Sequence, residues 1–307
     1  MRITGCPPSR LATVILALSV SVGFGAVAGE PAPPAPAAST PDTTFRSGYS
    51  IFQGTLVDLT WPEVKQVAED GALVLVPVGV IEEHGPHLCL GPDTYLAYAR
   101  CRMLQARLET LHVRAVIAPP VYWGVMQKQE TGVFPGSFTV RPETMKALLL
   151  DVFADLKAWG FRHIYCVNHH GDRVHRRTLR EAMAEAKATL GLAFYNDQEP
   201  ADAAEEPSVK QYLPAKLFEP DFHAGIAETA EMHAYFPDGV RTALAKTLKP
   251  ERKFHPLGYV GDPANFEKVD MRAINRVEVE FLAPRIAAWL KQPGPALDGP
   301  VAQPPPT

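Results

Sequence analysis

Apolar residues run almost without interruption from 72 to 81 (ALVLVPVGVI). That density, at that length, fits a strand buried on both faces. Residues 111–118 (LHVRAVIA) and 163–167 (HIYCV) read as further strands, with 192–195 a weaker fourth. Between them the apolar positions fall at helical spacing. The pattern predicts a helix over 95–108 with Asp93 as its N-cap. A second helix, 142–159, opens on a proline and closes at Gly160. A long amphipathic helix over 174–190 ends at Gly191, and helices over 226–236 and 274–290 complete the set. Alternation of strands and helices implies an α/β domain with a mostly parallel central sheet covered on both faces. Ligands of such sheets sit just beyond the carboxyl ends of the strands. The residues to inspect therefore follow Ile81 and Val167.

Both ends of the chain depart from this alternation. Residues 1–28 read as an export signal: Arg2 and Arg10 flank the start, 11–22 (LATVILALSVSV) is apolar, and Ala26-Val27-Ala28 is a small-x-small cleavage site. A spanning helix needs about 20 apolar residues, so this run favours a cleaved leader over a retained anchor. The expectation is a periplasmic or secreted protein with no stable membrane insertion after cleavage. Residues 29–44 form a Pro/Ala-rich linker and 292–307 a Pro-rich disordered tail, neither able to pack a core. One folded domain, 45–291, remains.

Composition narrows the class. With 46% hydrophobic residues in 307, a sizeable core is available. Lys+Arg number 30 against 34 Asp+Glu, which supplies no general attraction to nucleic acid. Four cysteines are too few for a disulfide scaffold. Cys6 lies in the leader, so Cys89, Cys101 and Cys166 remain, an odd set that leaves at least one thiol free.

The chemistry gathers where the strands end. Glu82 and His84 are two apart, so in extended chain both face one point. Gly85-Pro86 turns the chain, and Asp93 returns at the start of the next helix. Carboxylate, imidazole and carboxylate make a mixed N/O site suited to Zn, Mn or Fe. After the third strand, Asn168-His169-His170-Gly171-Asp172-Arg173 brings another imidazole and carboxylate to the equivalent edge. A third segment, 221–229, places His223 and Glu228 around the start of a helix. Any one of these residues alone reads as a surface group or a helix cap. Two clusters at one sheet edge argue for a metal site.

Together these residues resemble the creatininase (creatinine amidohydrolase) family. The resemblance runs through Pro77-Val78-Gly79, Glu82-x-His84-Gly85-Pro86-His87 and Asp93, then Phe134-Pro135-Gly136-Ser137. It resumes at Asn168-x-His170 and His223-Ala224-Gly225-x-x-Glu228-Thr229, with a late echo at Gly261-Asp262-Pro263. It implies a three-layer α/β/α sandwich, metal-dependent amidohydrolase activity on a small, cyclic or open amide, and a homo-oligomer, often a hexamer. It also implies two divalent ions per chain. Glu82, Asp93 and His170 would hold one, His84 and Asp93 the other, with Asp93 bridging. The second ion needs one more carboxylate, Asp172 or Glu228. The working assignment puts Asp172 on the metal and Glu228 beside His223 in catalysis. Coordination brings the pKa of water toward about 7, and the hydroxide attacks the amide carbonyl. His223, with Glu228 as rival, protonates the leaving nitrogen. His87 and His169 would orient substrate or ligands.

The chain also departs from the family pattern. Glu83 stands where the family usually has Gln, and the common Asn-Gly-His-Gly-Gly-Asn is replaced over 168–173. Phe222 precedes His223 where creatinine hydrolysers have Glu, and their tryptophans over the substrate find no match. These changes leave metal binding intact and point away from creatinine. Two rival readings remain. One is a catalytically inactive binding or scaffold protein on the same fold, supported by the altered 168–173 motif. The other is a phosphoesterase, which the missing glycine-rich phosphate loop disfavours.

Overall fold

The computed structural model describes residues 50–126, 131–195, 218–254 and 256–292. The expected leader (1–28), the linker (29–44) and all of the tail but Gln292 lie outside the described residues.

Four strands build one sheet: β1 (Leu73–Val78), β2 (Ala115–Ile117), β3 (His163–Asn168) and β4 (Ala193–Phe194). Their order is β2-β1-β3-β4, and every pairing is parallel. Val74 pairs with Ile164 and Val78 with Asn168, so β1 and β3 finish side by side. All six residues of β1 are buried, as the apolar run implies.

The period-2 pleat sends alternate β1 residues to opposite layers. Val74, Val76 and Val78 pack with α1 (Trp61–Glu69), α3 (Pro142–Ala158) and α4 (Arg173–Leu190). Leu73 and Leu75 pack with α2 (Pro92–Thr110) and α7 (Met271–Leu290). The result is a three-layer α/β/α sandwich. Phe153 of α3 and Leu104 of α2 are both fully buried, one on each side of the sheet. Truncating such a residue to Ala costs about 2–5 kcal/mol. α5 (Ile226–Tyr235) and the short α6 (Thr242–Ala245) follow α4 in the chain, and α5 packs on α2 and α7.

Local signals account for most boundaries. Asp172 caps α4 by accepting from the N–H groups of Val174 and His175. Gly191 ends α4 in the left-handed region, φ 65°, which glycine enters without steric cost. α1 was not anticipated by periodicity, though Thr60 and Glu63 form a capping box in which the Thr60 N–H donates to Glu63 Oε2 at 2.7 Å. Three expectations need correction. The strand at 111–118 shrinks to Ala115–Ile117, because α2 runs on to Thr110 and the chain then turns through His112, φ 57°. The strand at 192–195 shrinks to two residues. α2 begins earlier than expected, with Gly91 at the N-cap, so Asp93 lies inside the helix instead of capping it. Among the described residues no helix is long and apolar enough to cross a membrane. Cys89, Cys101 and Cys166 form no disulfide.

Candidate metal centre

The carboxyl ends of β1 and β3 open onto one buried cluster. Glu82 and His84 follow β1, His170 follows β3, Asp93 sits in the first turn of α2 and Glu228 in the first turn of α5. His170 Nδ1 lies 3.0 Å from Glu82 Oε1 and 2.9 Å from Asp93 Oδ2. On the other side, His84 Nε2 lies 3.5 Å from Asp93 Oδ1 and 3.8 Å from Glu228 Oε2. Glu82, Asp93 and His170 thus form one ligand group, and His84, Asp93 and Glu228 a second. The Asp93 carboxylate reaches both, one oxygen to each. Close backbone approach permits this: a Cβ on Gly79 would lie 2.8 Å from the Asp93 carbonyl carbon and from the Thr94 nitrogen. Only glycine lets the chain leaving β1 pass so near the start of α2.

The ring nitrogens are set for coordination. His170 Nε2 lies 3.1 Å from the Val125 carbonyl, and His84 Nδ1 lies 3.2 Å from the Glu82 carbonyl. Donation of those N–H groups leaves Nδ1 of His170 and Nε2 of His84 as lone pairs facing the cluster. Glu82 Oε2 and His84 Nε2 are buried and make no hydrogen bond, and buried Asp93 Oδ2 faces only the His170 ring nitrogen. Buried polar atoms without partners are costly, and here they converge on common points. Carboxylate oxygens and imidazole nitrogens in this arrangement fit divalent Zn, Mn or Fe.

Without a cation, protons must balance the carboxylates. Burial would push the His84 imidazole down, but Glu228, Asp93 and Glu82 hold it up at about 10. Burial likewise opposes charge on His170, yet Asp93 and Glu82 hold it well above the ordinary range. Burial would raise Asp93, and the two imidazoles instead hold it well below the usual carboxylate range. Metal entry would displace those protons.

Around the cluster lies a cavity of about 290 Å³ lined by Glu82, Asp93, His170, His223 and Glu228, with Phe222, Phe254 and Arg173 at its margins. His223 is buried, its ring 4.6 Å from that of His84 and 5.7 Å from that of Phe254. Its Nε2 lies 2.9 Å from the Glu83 carbonyl and 3.2 Å from Glu83 Oε1. Glu83 Oε2 in turn accepts the Gly85 N–H at 2.9 Å. The residue that departs from the family pattern is therefore a buried partner of His223.

Two sequence expectations divide here. Glu228 joins His84 and Asp93, its Oε2 also accepting the Ala224 N–H at 2.5 Å. Asp172 falls in none of the ligand groups and instead caps α4 from the cavity rim. Geometry thus brings Glu228, and not Asp172, within ligand reach of His84 and Asp93. His87 Nε2 meets Thr229 Oγ1 at 2.8 Å, tying the first motif to α5. His169 Nε2 meets Glu231 Oε2 at 3.3 Å, and Glu231 Oε1 accepts from Asn275 Nδ2 at 2.6 Å.

His175 was missed by sequence reasoning. It is fully buried, its ring edge-on to His170 at 4.9 Å. Its Nε2–H donates to Asn168 Oδ1 at 3.0 Å, and its Nδ1 accepts the Val125 N–H at 3.3 Å. Burial pushes this imidazole down to about 3, with the neighbouring His170 charge adding to the effect. The available signal was its position on the buried stripe His175, Thr178, Leu179, Ala182, Ala186 of α4, an imidazole where an aliphatic residue would serve.

Comparison with known proteins adds an independent line. A sequence model described as creatinine amidohydrolase matches residues 57–285. A mycofactocin precursor peptide peptidase from Mycolicibacterium smegmatis (strain ATCC 700084 / mc(2)155) is 31% identical over 232 residues, covering 71% of this chain and 85% of the relative. A creatinine amidohydrolase from Pseudomonas putida is 28% identical over 204 residues, covering 62% of this chain and 73% of the relative. A crystal structure of creatininase superposes with a TM-score of 0.65 at 22% identity, covering 78% of this chain and 99% of that one. Other creatininase structures of the same fold are described as a manganese form and a Zn-Zn type.

Proposed function

The chain belongs to the creatininase family, and on that premise we propose that it is a metal-dependent amidohydrolase acting on the C–N bond of a small amide. The observation that carries this is the Asp93 carboxylate shared between two ligand groups, among buried atoms that make no hydrogen bond. The relatives named above are a peptidase and an amidohydrolase, both hydrolases of C–N bonds.

In this reading Glu82, His170 and Asp93 would hold one divalent ion, and His84, Glu228 and Asp93 a second. Zinc, manganese or iron bound there acidifies water and polarises a carbonyl oxygen. The chain's own residues do the rest. The Val125 and Glu82 carbonyls engage the outer ring nitrogens of His170 and His84 and so aim the other nitrogens at the ligand groups. His223 stands at the cavity wall and protonates the leaving nitrogen, its ring held by Glu83. Glu228, the rival donor, is occupied beside His84 and Asp93. The cavity of about 290 Å³ suits a small substrate. Export through residues 1–28 and homo-oligomeric assembly, up to a hexamer, belong to the same proposal. They rest on the leader pattern and the family resemblance; the mass of the mature chain and light scattering test them.

Metal content by plasma mass spectrometry, paired with an amide hydrolysis panel, tests the reading. The wild type is expected to hold about two ions per chain, and Asp93→Ala close to none, because both groups lose a ligand. Absence of stoichiometric metal after reconstitution with Zn, Mn or Fe would refute it. Metal without hydrolysis would favour an inactive binding protein.

A further inference from the structure

We propose that the substrate amide carries an oxyanionic group, a carboxylate or phosphate, that docks on an arginine stripe along α4; this deepens the hydrolase reading and rests on it. Arg173, Arg176, Arg177 and Arg180 occur at i, i+3, i+4 and i+7, which puts them on one helix face. All four are exposed. Together they line an open cavity of about 460 Å³. Arg173 also lines the cavity that holds Glu82, Asp93, His170 and Glu228. The stripe therefore starts at the mouth of the metal centre and runs outward for about 10 Å at the helical rise of 1.5 Å per residue.

Local physics does not account for these arginines. They occupy the first turns of a helix whose N-terminal end is electropositive, and its first turn carries no acidic residue. Like charges three and four apart repel one another. Among the described residues only Arg177 of the four has an ion-pair partner, Glu181 at 3.7 Å. Asp172, the carboxylate beside Arg173 at the rim, has Oδ1 engaged by the Val174 and His175 N–H groups. The helix thus carries an unfavourable run of cations leading to a cavity where Glu82, 1% exposed, has an oxygen without a hydrogen bond. A departure from local rules beside a site is what ligand recognition leaves behind. Guanidinium groups pair bidentately with carboxylate and phosphate. Glu82, Asp93 and Glu228 would repel such a substrate in the metal-free protein, so bound cations are needed before the stripe can deliver it.

The test compares three amides of one scaffold on the metal-loaded protein, bearing a carboxylate, a phosphate or a neutral carboxamide. The wild type is expected to favour a charged member over the carboxamide by about tenfold or more in kcat/KM, the size of a charge-assisted contact. The difference should lie mainly in KM and shrink as salt rises. Arg173→Gln and Arg176→Gln should collapse the charged-to-neutral ratio, with circular dichroism checking that both variants fold. Carboxylate against phosphate identifies the oxyanion. Hydrolysis with no preference for charge, or a preference that both variants retain, overturns this inference and leaves the hydrolase reading standing. Hydrolysis of none of the three overturns the hydrolase reading and this inference with it.

Discussion

His175→Leu tests whether the buried imidazole of α4 supports the metal centre. The native ring receives the Val125 N–H at 3.3 Å and donates to Asn168 Oδ1 at 3.0 Å. Leucine fills similar space and does neither. The Val125 N–H would be left buried without a partner, at about 1–3 kcal/mol, and Asn168 would lose about 1 kcal/mol. The expected loss of stability is about 2–4 kcal/mol. The same change loosens the metal side. Val125 presents its carbonyl to His170 Nε2 at 3.1 Å, and Asn168 Nδ2 donates to the His170 carbonyl at 2.8 Å. Metal affinity should therefore fall about 10- to 100-fold, as when a group orienting a ligand is removed. Urea unfolding of metal-free protein measures the first effect, and zinc titration against a competing chelator the second. A stability loss below about 1 kcal/mol would refute the hydrogen-bond reasoning. A large loss with unchanged affinity would show that His175 supports the core and not the site.

Two further outcomes follow from the same geometry. In the unfolded chain His175 takes a proton near its ordinary 6.5, whereas the folded residue does so only at about 3. Between those values the unfolded state binds the extra proton, so stability falls as pH drops from 6.5 toward 3, by about 5 kcal/mol in all; urea midpoints of metal-free wild type should fall more steeply with acid than those of His175→Gln, and parallel slopes would sink the argument. His223→Gln should keep two metals per chain yet lower kcat by about 10²- to 10⁴-fold, and loss of metal in that variant would place His223 among the ligands, since it also lies near Glu82 and His84.

Much of the layout was legible along the chain because it depends on local pattern. The apolar density of 72–81 marked β1, and helical spacing marked α2, α3, α4, α5 and α7. All six residues in the two groups joined by Asp93, or beside them as proton donor, sit in recognisable motifs: Glu82, His84, Asp93, His170, His223 and Glu228. The spacing of the arginines on α4 is equally plain in one dimension. What lay beyond reach was every relation that depends on which elements meet. Asp93 reads both as a helix cap and as a ligand; only the packing of α2 beside the end of β1 shows one of its oxygens facing each imidazole.

Sequence by itself thus determined the α/β alternation, the family and the kinds of ligand atom available, since each follows from periodicity and motif. Tertiary structure alone decided that Glu228 comes beside His84 and Asp93 while Asp172 caps α4. Those two carboxylates are 56 positions apart, and their roles depend on α5 reaching the ends of β1 and β3. It also decided that Glu83 meets His223, that His175 backs His170, and that the arginine stripe begins at the cavity mouth. These are contacts across long stretches of chain, set by how layers pack, and no local preference encodes them.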